Sequence, residues 1–119
     1  MSSYVPKTIH LVLTHPPEHV SDAEFEAWYR GHLPEILRIP GWIGAEVYKL
    51  DPYVIDGERQ PYRYAAMYTI EGDVEQAMKD LATERHSGRM DLPDWFEDFE
   101  AGSYLVSWNA LGLAGQRLA

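Results

Sequence analysis

The sequence contains no cysteine, and this absence removes several classes of protein. Without thiols the chain cannot form disulfides, present a thiolate nucleophile or bind a metal through cysteine ligands. Basic residues are also scarce: 10 Lys and Arg stand against 19 Asp and Glu, which gives a formal net charge of −9. Binding to nucleic acid or to an anionic membrane surface is therefore disfavoured, because both need a basic patch.

Other familiar signatures are missing too. The sequence has no glycine-rich phosphate loop, nucleophile elbow or dinucleotide fingerprint, so it indicates no nucleotide cofactor. No apolar run approaches the length of a membrane span, and the first ten residues lack the pattern of a signal peptide. We therefore expect a cytoplasmic protein that uses no cofactor and does not bind membranes.

One helix is clearly marked, at residues 21–40. Ser21 with Glu24 three residues later forms a capping box, which is typical of a helix start. Pro34 removes a backbone donor, so we expect a kink or a fresh helical turn there. Spacings of three and four predict one buried helical face, formed by Phe25, Trp28, His32 and Ile36.

Strand patterns surround this helix and a second one. Alternating side chains predict strands at residues 7–15, 42–50, 62–71 and 102–111, and a second helix at 74–85. The order β-α-β-β-α-β, with right-handed crossovers, predicts an α+β, ferredoxin-like fold: a four-stranded antiparallel sheet with both helices on one face. With 119 residues, the chain is long enough for one domain, spanning 1–119.

The face of this sheet opposite the helices also carries large apolar groups. An open apolar face of that size is unusual on a monomer, so we expect a second copy to cover it and form a homodimer. The segment from residue 111 onward is expected to lie along the partner. The aromatic side chains expected to pack across the interface are Trp42, Tyr48, Tyr64, Tyr68, Tyr104 and Trp108.

Three segments carry a resemblance to a known family. They are IHLVLTHPP in the first strand, WYRGHLPE in the first helix and PGW at the start of the second strand. With Trp28-Tyr29 followed by His32-Leu33-Pro34, they resemble the EthD-like branch of the dimeric α+β barrel superfamily. The resemblance is best over residues 7–50; over 51–119 only the element order and an aromatic last strand agree. It implies paired sheets and a pocket between the sheet and the first helix.

In the family that this chain resembles, histidine or tyrosine often performs proton chemistry in that pocket. The resemblance therefore implies catalytic roles for His32 and Tyr29, since imidazole titrates near neutrality and a neighbouring tyrosine can orient it. A structural alternative for His32 is a hydrogen bond to a carbonyl freed by Pro34. Candidates for binding the substrate are Trp28, His10, Tyr64, Tyr68, His86 and Trp95.

The binding candidates have structural alternatives. The pattern around His10 is also consistent with a core histidine. Tyr64 and Tyr68 could instead belong to the dimer core. Trp95 could plug the end of the barrel rather than form a lid. His15 and His19 are four apart but separated by prolines, so they do not meet the spacing of a metal site.

Three hypotheses about function follow. The first is a cofactor-independent acid/base enzyme of isomerase, cyclase or lyase type, acting on a small aromatic or lactone-like molecule. The second is a non-catalytic dimeric protein that binds a small molecule or serves a partner enzyme. The third, implied by the breadth of the superfamily, is a haem-dependent or small-monooxygenase-type protein, in which His86 is the candidate haem ligand.

Overall fold

The computed structural model describes residues 7–51, 57 and 61–96 with their side chains, and the backbone of residues 100–107. The elements are β1 (Lys7–His15), α1 (Asp22–Leu37), β2 (Trp42–Lys49), β3 (Tyr64–Glu71), α2 (Val74–His86) and β4 (Glu100–Ser107). The strands lie in the order β2-β3-β1-β4, each antiparallel to its neighbours. The predicted α+β class with two helices is confirmed, whereas the pairing of two sheets stays a prediction. Trp108 and the segment from residue 111 onward lie outside the described residues.

The first helix begins as the sequence predicts and continues through Pro34, and the kink expected there stays a prediction. The Ser21 hydroxyl accepts a hydrogen bond from the backbone N–H of Glu24 at 3.1 Å, which caps the helix. The helix then continues past Pro34 to Leu37 as one element. Pro34 is exposed, so water can reach the carbonyl that loses its partner, and the helix need not end there.

Both helices pack on the same face of the sheet. The Phe25 ring of α1 lies 5.1 Å from the ring of Tyr64, and Trp42 Nε1 donates to the carbonyl of Ala77 in α2 at 3.1 Å. Register places Tyr64 and Trp42 on one face, because Trp42 pairs with Ile70 and side chains alternate along β3. This face and the two helices enclose the core.

The expected interface role of three aromatic residues is therefore wrong. Trp42, Tyr64 and Tyr68 are buried in the core of the single chain, under the helices. At most 4% of the surface of each residue is exposed. In β2, the wrong prediction for Trp42 comes from a bulge between Trp42 and Gly44. It shifts the alternation, so Trp42 shares a face with Ala45 rather than with Gly44 as the sequence pattern predicted. Tyr48, by contrast, is 48% exposed on the other face.

That other face is open in the single chain. Most of its described apolar side chains are half-buried or exposed, and these include Ile9, Leu11, Leu13, Met67 and Tyr48. Among the described helices, neither is long and apolar enough to cross a membrane.

Candidate functional site

Helix α1 separates two surroundings that differ in character. We call one the closed flank: Trp28, His32 and Glu35, together with Asp91 and Trp95 from the segment after α2. We call the other the groove flank: Glu26, Arg30 and Leu33, which face β2 and β3. The two sets recur at spacings of three and four along α1, so each forms a stripe on the helix surface. Tyr29 lies between the stripes.

The closed flank holds His32 within a web of contacts. Its ring stacks on the indole of Trp28, with centroids 4.5 Å apart and planes 19° from parallel. Trp28 Nε1 donates to the Asp91 carbonyl at 2.8 Å, and the Asp91 N–H donates to Glu35 Oε2 at 2.9 Å. Glu35 Oε1 lies 3.5 Å from His32 Nδ1, an ion-pair distance without hydrogen-bond geometry. These contacts leave His32 only 8% exposed.

The surroundings of His32 favour its neutral form. Burial lowers the pKa of His32 below its usual value, because desolvation penalises the imidazolium. The Glu35 carboxylate opposes this by stabilising the cation, and the nearby Arg85 charge adds to the lowering. The net direction is downward, so the imidazole is neutral at pH 7 and able to accept a proton.

Tyr29 joins the closed flank to the groove. Its ring meets the His32 ring edge-on at 6.0 Å and also lines the groove. Burial raises the pKa of Tyr29 to about 12, because the phenolate would be desolvated. The nearby Thr14 hydroxyl opposes that rise only weakly, since Thr14 Oγ1 makes no well-formed hydrogen bond to a described residue. Tyr29 therefore stays protonated near neutral pH and can donate a hydrogen bond.

The groove itself is an open cavity of about 300 Å³ between α1 and strands β2 and β3. A volume of that order is at the lower end for small-molecule sites. Tyr64 donates from its hydroxyl to Glu26 Oε2 at 2.6 Å, and Lys49 Nζ lies 3.5 Å from the same oxygen. The lining side chains are those of Glu26, Tyr29, Arg30, Leu33, Val47, Lys49 and Tyr64.

A second ion-pair network lies beside the groove. Arg63 Nη1 donates to both carboxylate oxygens of Asp22, at 2.9 and 2.8 Å, and Lys49 Nζ lies 3.2 Å from Asp22 Oδ2. Arg63 and Lys49 hold the pKa of Asp22 below its usual range, against an opposing effect of desolvation. The hydrogen bond from Tyr64 and the Lys49 charge lower the pKa of Glu26 in the same way. Both carboxylates are therefore ionised near neutral pH.

The structure brings only some of the predicted site residues together. Trp28, Tyr29 and His32 are in mutual contact on α1, and Trp95 packs on Trp28 with centroids 5.5 Å apart. Tyr64 lines the groove, but neither His32 nor Trp28 does. The remaining three candidates, His10, Tyr68 and His86, lie elsewhere.

His10 and Tyr68 belong to the core and His86 to the surface. The His10 ring meets Trp42 edge-on at 5.7 Å and lies 5.9 Å from Tyr68, and burial lowers the pKa of His10. Burial also raises the pKa of Tyr68, and the nearby Tyr29 adds to this rise. His86 is exposed at the end of α2. Among the described residues, no three His, Asp or Glu side chains converge as a metal site would require.

Sequence reasoning assigned no role to three charged residues of the closed flank and the groove, Glu35, Glu26 and Lys49. Glu35 is the acidic partner of His32, and their separation of three on a helix was a usable signal. Glu26 lies three residues before Tyr29 on the same helix, and only the fold brings it to Tyr64. Lys49 comes from the end of β2, and the bulge in that strand decides which way it points. No sequence pattern would have indicated Lys49.

Comparison with known proteins concerns the fold. No family model matches the sequence, and no curated protein is significantly similar to it. Among solved structures, the At3g17210 protein of Arabidopsis thaliana is 16% identical, with a TM-score of 0.58 over 82% of this chain and 92% of that one. An ethyl tert-butyl ether D (EthD) family protein of Bacillus halodurans is 16% identical, with a TM-score of 0.48 over 82% and 95%.

A dimeric ferredoxin-like protein of unknown function from Thermobifida fusca is 13% identical, with a TM-score of 0.45 over 83% and 90% of the two chains. The superpositions on these last two proteins are too loose to support a further argument. At such identities the likeness to At3g17210 concerns the fold and no activity. The EthD-like resemblance read from the sequence is thus confirmed at the level of the fold, and this chain has the ferredoxin-like α+β fold that the resemblance implied.

Proposed function

We propose that this protein is a cofactor-independent acid/base enzyme of isomerase, cyclase or lyase type, acting on a small aromatic or lactone-like molecule bound in the groove beside α1. One observation carries the proposal: His32 and Tyr29 lie side by side, and burial moves their pKa values in opposite directions. A neutral imidazole and a neutral phenol are a proton acceptor and a proton donor, which is how paired acid and base groups are arranged in enzymes.

In this proposal the two groups have different roles. Tyr29 reaches the groove, so its hydroxyl donates a hydrogen bond to the carbonyl oxygen of the substrate. His32 lies behind Tyr29 and does not line the groove, so the proposal requires substrate binding to shift Tyr29 and bring the substrate to the imidazole. His32 then accepts the proton from the carbon next to that carbonyl, and the electron pair moves into the enolate. His32 then returns the proton to the same or another carbon, so the reaction needs no external oxidant or reductant. The Glu35 carboxylate 3.5 Å from Nδ1 stabilises the transient imidazolium.

The test measures proton exchange rather than a complete reaction. Aromatic lactones with a methylene group next to the carbonyl are incubated with the protein in deuterium oxide, and deuterium uptake is followed by mass spectrometry. We expect uptake above the uncatalysed rate, and a loss of about a hundredfold in His32→Gln and in Tyr29→Phe. Tyr48→Phe is the matched control, because Tyr48 is half exposed on the other face of the sheet. Absence of catalysed uptake, or unchanged uptake in both site variants, would refute the proposal.

A second candidate function is a non-catalytic binding protein. The enclosure of His32 favours it: the ring lies under Trp28, is only 8% exposed and does not line the groove. In that case His32 ties the segment around Asp91 to α1 through Glu35. Binding of the same lactones without any deuterium uptake would favour this candidate over the enzyme.

We further propose that two copies pair through the open face of the sheet. The half-buried and exposed side chains there, among them Leu11, Met67 and Tyr48, form an apolar surface that a second copy would cover. Sedimentation at micromolar concentration should give twice the 13.7 kDa mass of the chain. A folded species of 13.7 kDa would contradict the pairing.

A further inference from the structure

We propose that the groove beside α1 selects a small organic monocarboxylate with a flat apolar body, whose acid group lies between Arg30 and Lys49. This deepens the proposed function, on which it rests for the identity of the groove as the substrate site. It adds a chemical class of ligand and two residues that recognise it.

The local charge of the groove is opposite to that of the whole chain. The chain carries a formal net charge of −9, with only 10 basic residues. Within the part of the chain that the structure describes, three of these, Arg30, Lys49 and Arg63, lie in or beside the groove, against two carboxylates, Asp22 and Glu26. One positive charge is therefore left over where the rest of the molecule is acidic. A groove of this kind attracts a single negative charge.

Arg30 is the cation that remains available. It is exposed, lines the groove and makes no ion pair within the parts of the chain that the structure describes. Lys49 is also accessible to a ligand: its side chain is 54% exposed, although Nζ lies 3.2 Å from Asp22 and 3.5 Å from Glu26. A guanidinium is suited to bidentate recognition of a carboxylate, and an ammonium can add a further charged hydrogen bond.

The rest of the lining determines the body of the ligand. Leu33 and Val47 supply apolar walls, and the Tyr29 ring supplies a flat one. A planar, aromatic or unsaturated body fits such walls better than a sugar or a peptide would. Glu26 stays ionised in the same groove, so a dianion such as phosphate meets more repulsion than a monocarboxylate does.

The test compares cinnamate with cinnamamide, which differ in charge but hardly in shape. Calorimetric titration of the intact protein should give a Kd for cinnamate at least about tenfold lower than for the amide, as expected for one charge-assisted hydrogen bond. Arg30→Gln and Lys49→Met should each weaken cinnamate about tenfold and leave the amide unchanged. Lys79→Met is the matched control. Lys79 is 68% exposed on α2, so this substitution removes the same charge at a place away from the groove.

Several outcomes would overturn the inference. They are equal binding of acid and amide, no binding of cinnamate, inorganic phosphate competing as well as cinnamate, or an equal loss in Lys79→Met. These outcomes are separable from failure of the proposed function. Cinnamate binding that depends on Arg30 without any deuterium uptake from lactones would refute the enzyme and support the carboxylate site. Catalysed uptake without a preference for acids would do the reverse.

Discussion

The two flanks of α1 occupy the same sixteen-residue helix and differ in almost every physical respect. The closed flank is aromatic and tied by hydrogen bonds to a segment more than fifty residues away in sequence. The groove flank is charged, partly exposed and open to a cavity of about 300 Å³. His32 therefore lies where the fold is held together, whereas the groove lies on the opposite side of Tyr29.

The largest expected effect is on the closed flank. Trp28→Ala removes the ring that stacks on His32 and contacts Phe25, Trp95 and Phe96, together with the hydrogen bond to the Asp91 carbonyl. We expect the free energy of unfolding to fall by about 3 kcal/mol, in urea denaturation monitored by circular dichroism.

The control for Trp28→Ala is Leu37→Ala, because Leu37 is on the same helix but 44% exposed. Its expected cost is less than about 0.5 kcal/mol. If both variants lost the same stability, the closed flank would not be the part of α1 that holds the fold. Trp28→Phe keeps most of the packing and loses the indole hydrogen bond. We expect it to lower the free energy of unfolding by about 1 kcal/mol.

The next effect is on the pH dependence of stability. The pKa of His32 is lower in the folded chain than in the unfolded one, so the unfolded state binds more protons as the solution becomes acidic. The stabilising contribution of the neutral form is present above about pH 6.5 and is lost as pH falls toward the folded pKa. Two charged groups also act on the pKa of His32: Glu35 raises it, and Arg85 lowers it.

The measurement is the urea midpoint between pH 7.5 and pH 5 for the natural chain and His32→Gln. We expect a shallower decline in the variant. Some decline remains, because the pKa of His10 is lowered in the same direction. His19→Gln is the control, since His19 is exposed. An identical decline with and without His32 would show that its burial contributes nothing to acid sensitivity.

A smaller and more local effect concerns Glu35. Its carboxylate raises the pKa of His32 against the effect of burial, so Glu35→Gln should lower the pKa of His32 further. Nuclear magnetic resonance titration of the His32 ring protons measures this directly. Glu75→Gln, on the exposed face of α2, should leave the titration unchanged. If the pKa of His32 rises or stays constant in Glu35→Gln, the Glu35 carboxylate does not stabilise the imidazolium of His32.

The sequence predicts the elements of this fold well because their causes are local. The Ser21 cap, the spacing of Phe25, His32 and Ile36, and the alternation in β3 each depend on residues within a few positions of one another. The bulge at the start of β2 is different. It adds a residue to one strand of the pair, and strict alternation therefore assigns Trp42 to the wrong set of neighbours.

The site is predicted less fully for the same reason. Trp28, Tyr29 and His32 share one helix, and their contacts follow from spacing. Tyr64, Glu26 and Lys49 come from three elements, and only the register of β2 and β3 under α1 brings them to one groove. Aromatic content alone could not tell a core tyrosine from an interface one, which is why Tyr64 and Tyr68 were expected at the dimer interface.

The smallest expected effect is on stability at the groove flank. Lys49→Met removes contacts to Asp22 and Glu26, but the Lys49 side chain is more than half exposed and water replaces those contacts. Arg63 still pairs with Asp22 through two hydrogen bonds, and Tyr64 still donates to Glu26. The urea midpoint should therefore stay within experimental error of the natural chain, even though cinnamate binding weakens about tenfold. A fall in midpoint as large as that of Trp28→Ala would mean that both flanks hold the fold, and the separation of stability from ligand recognition along α1 would then be wrong.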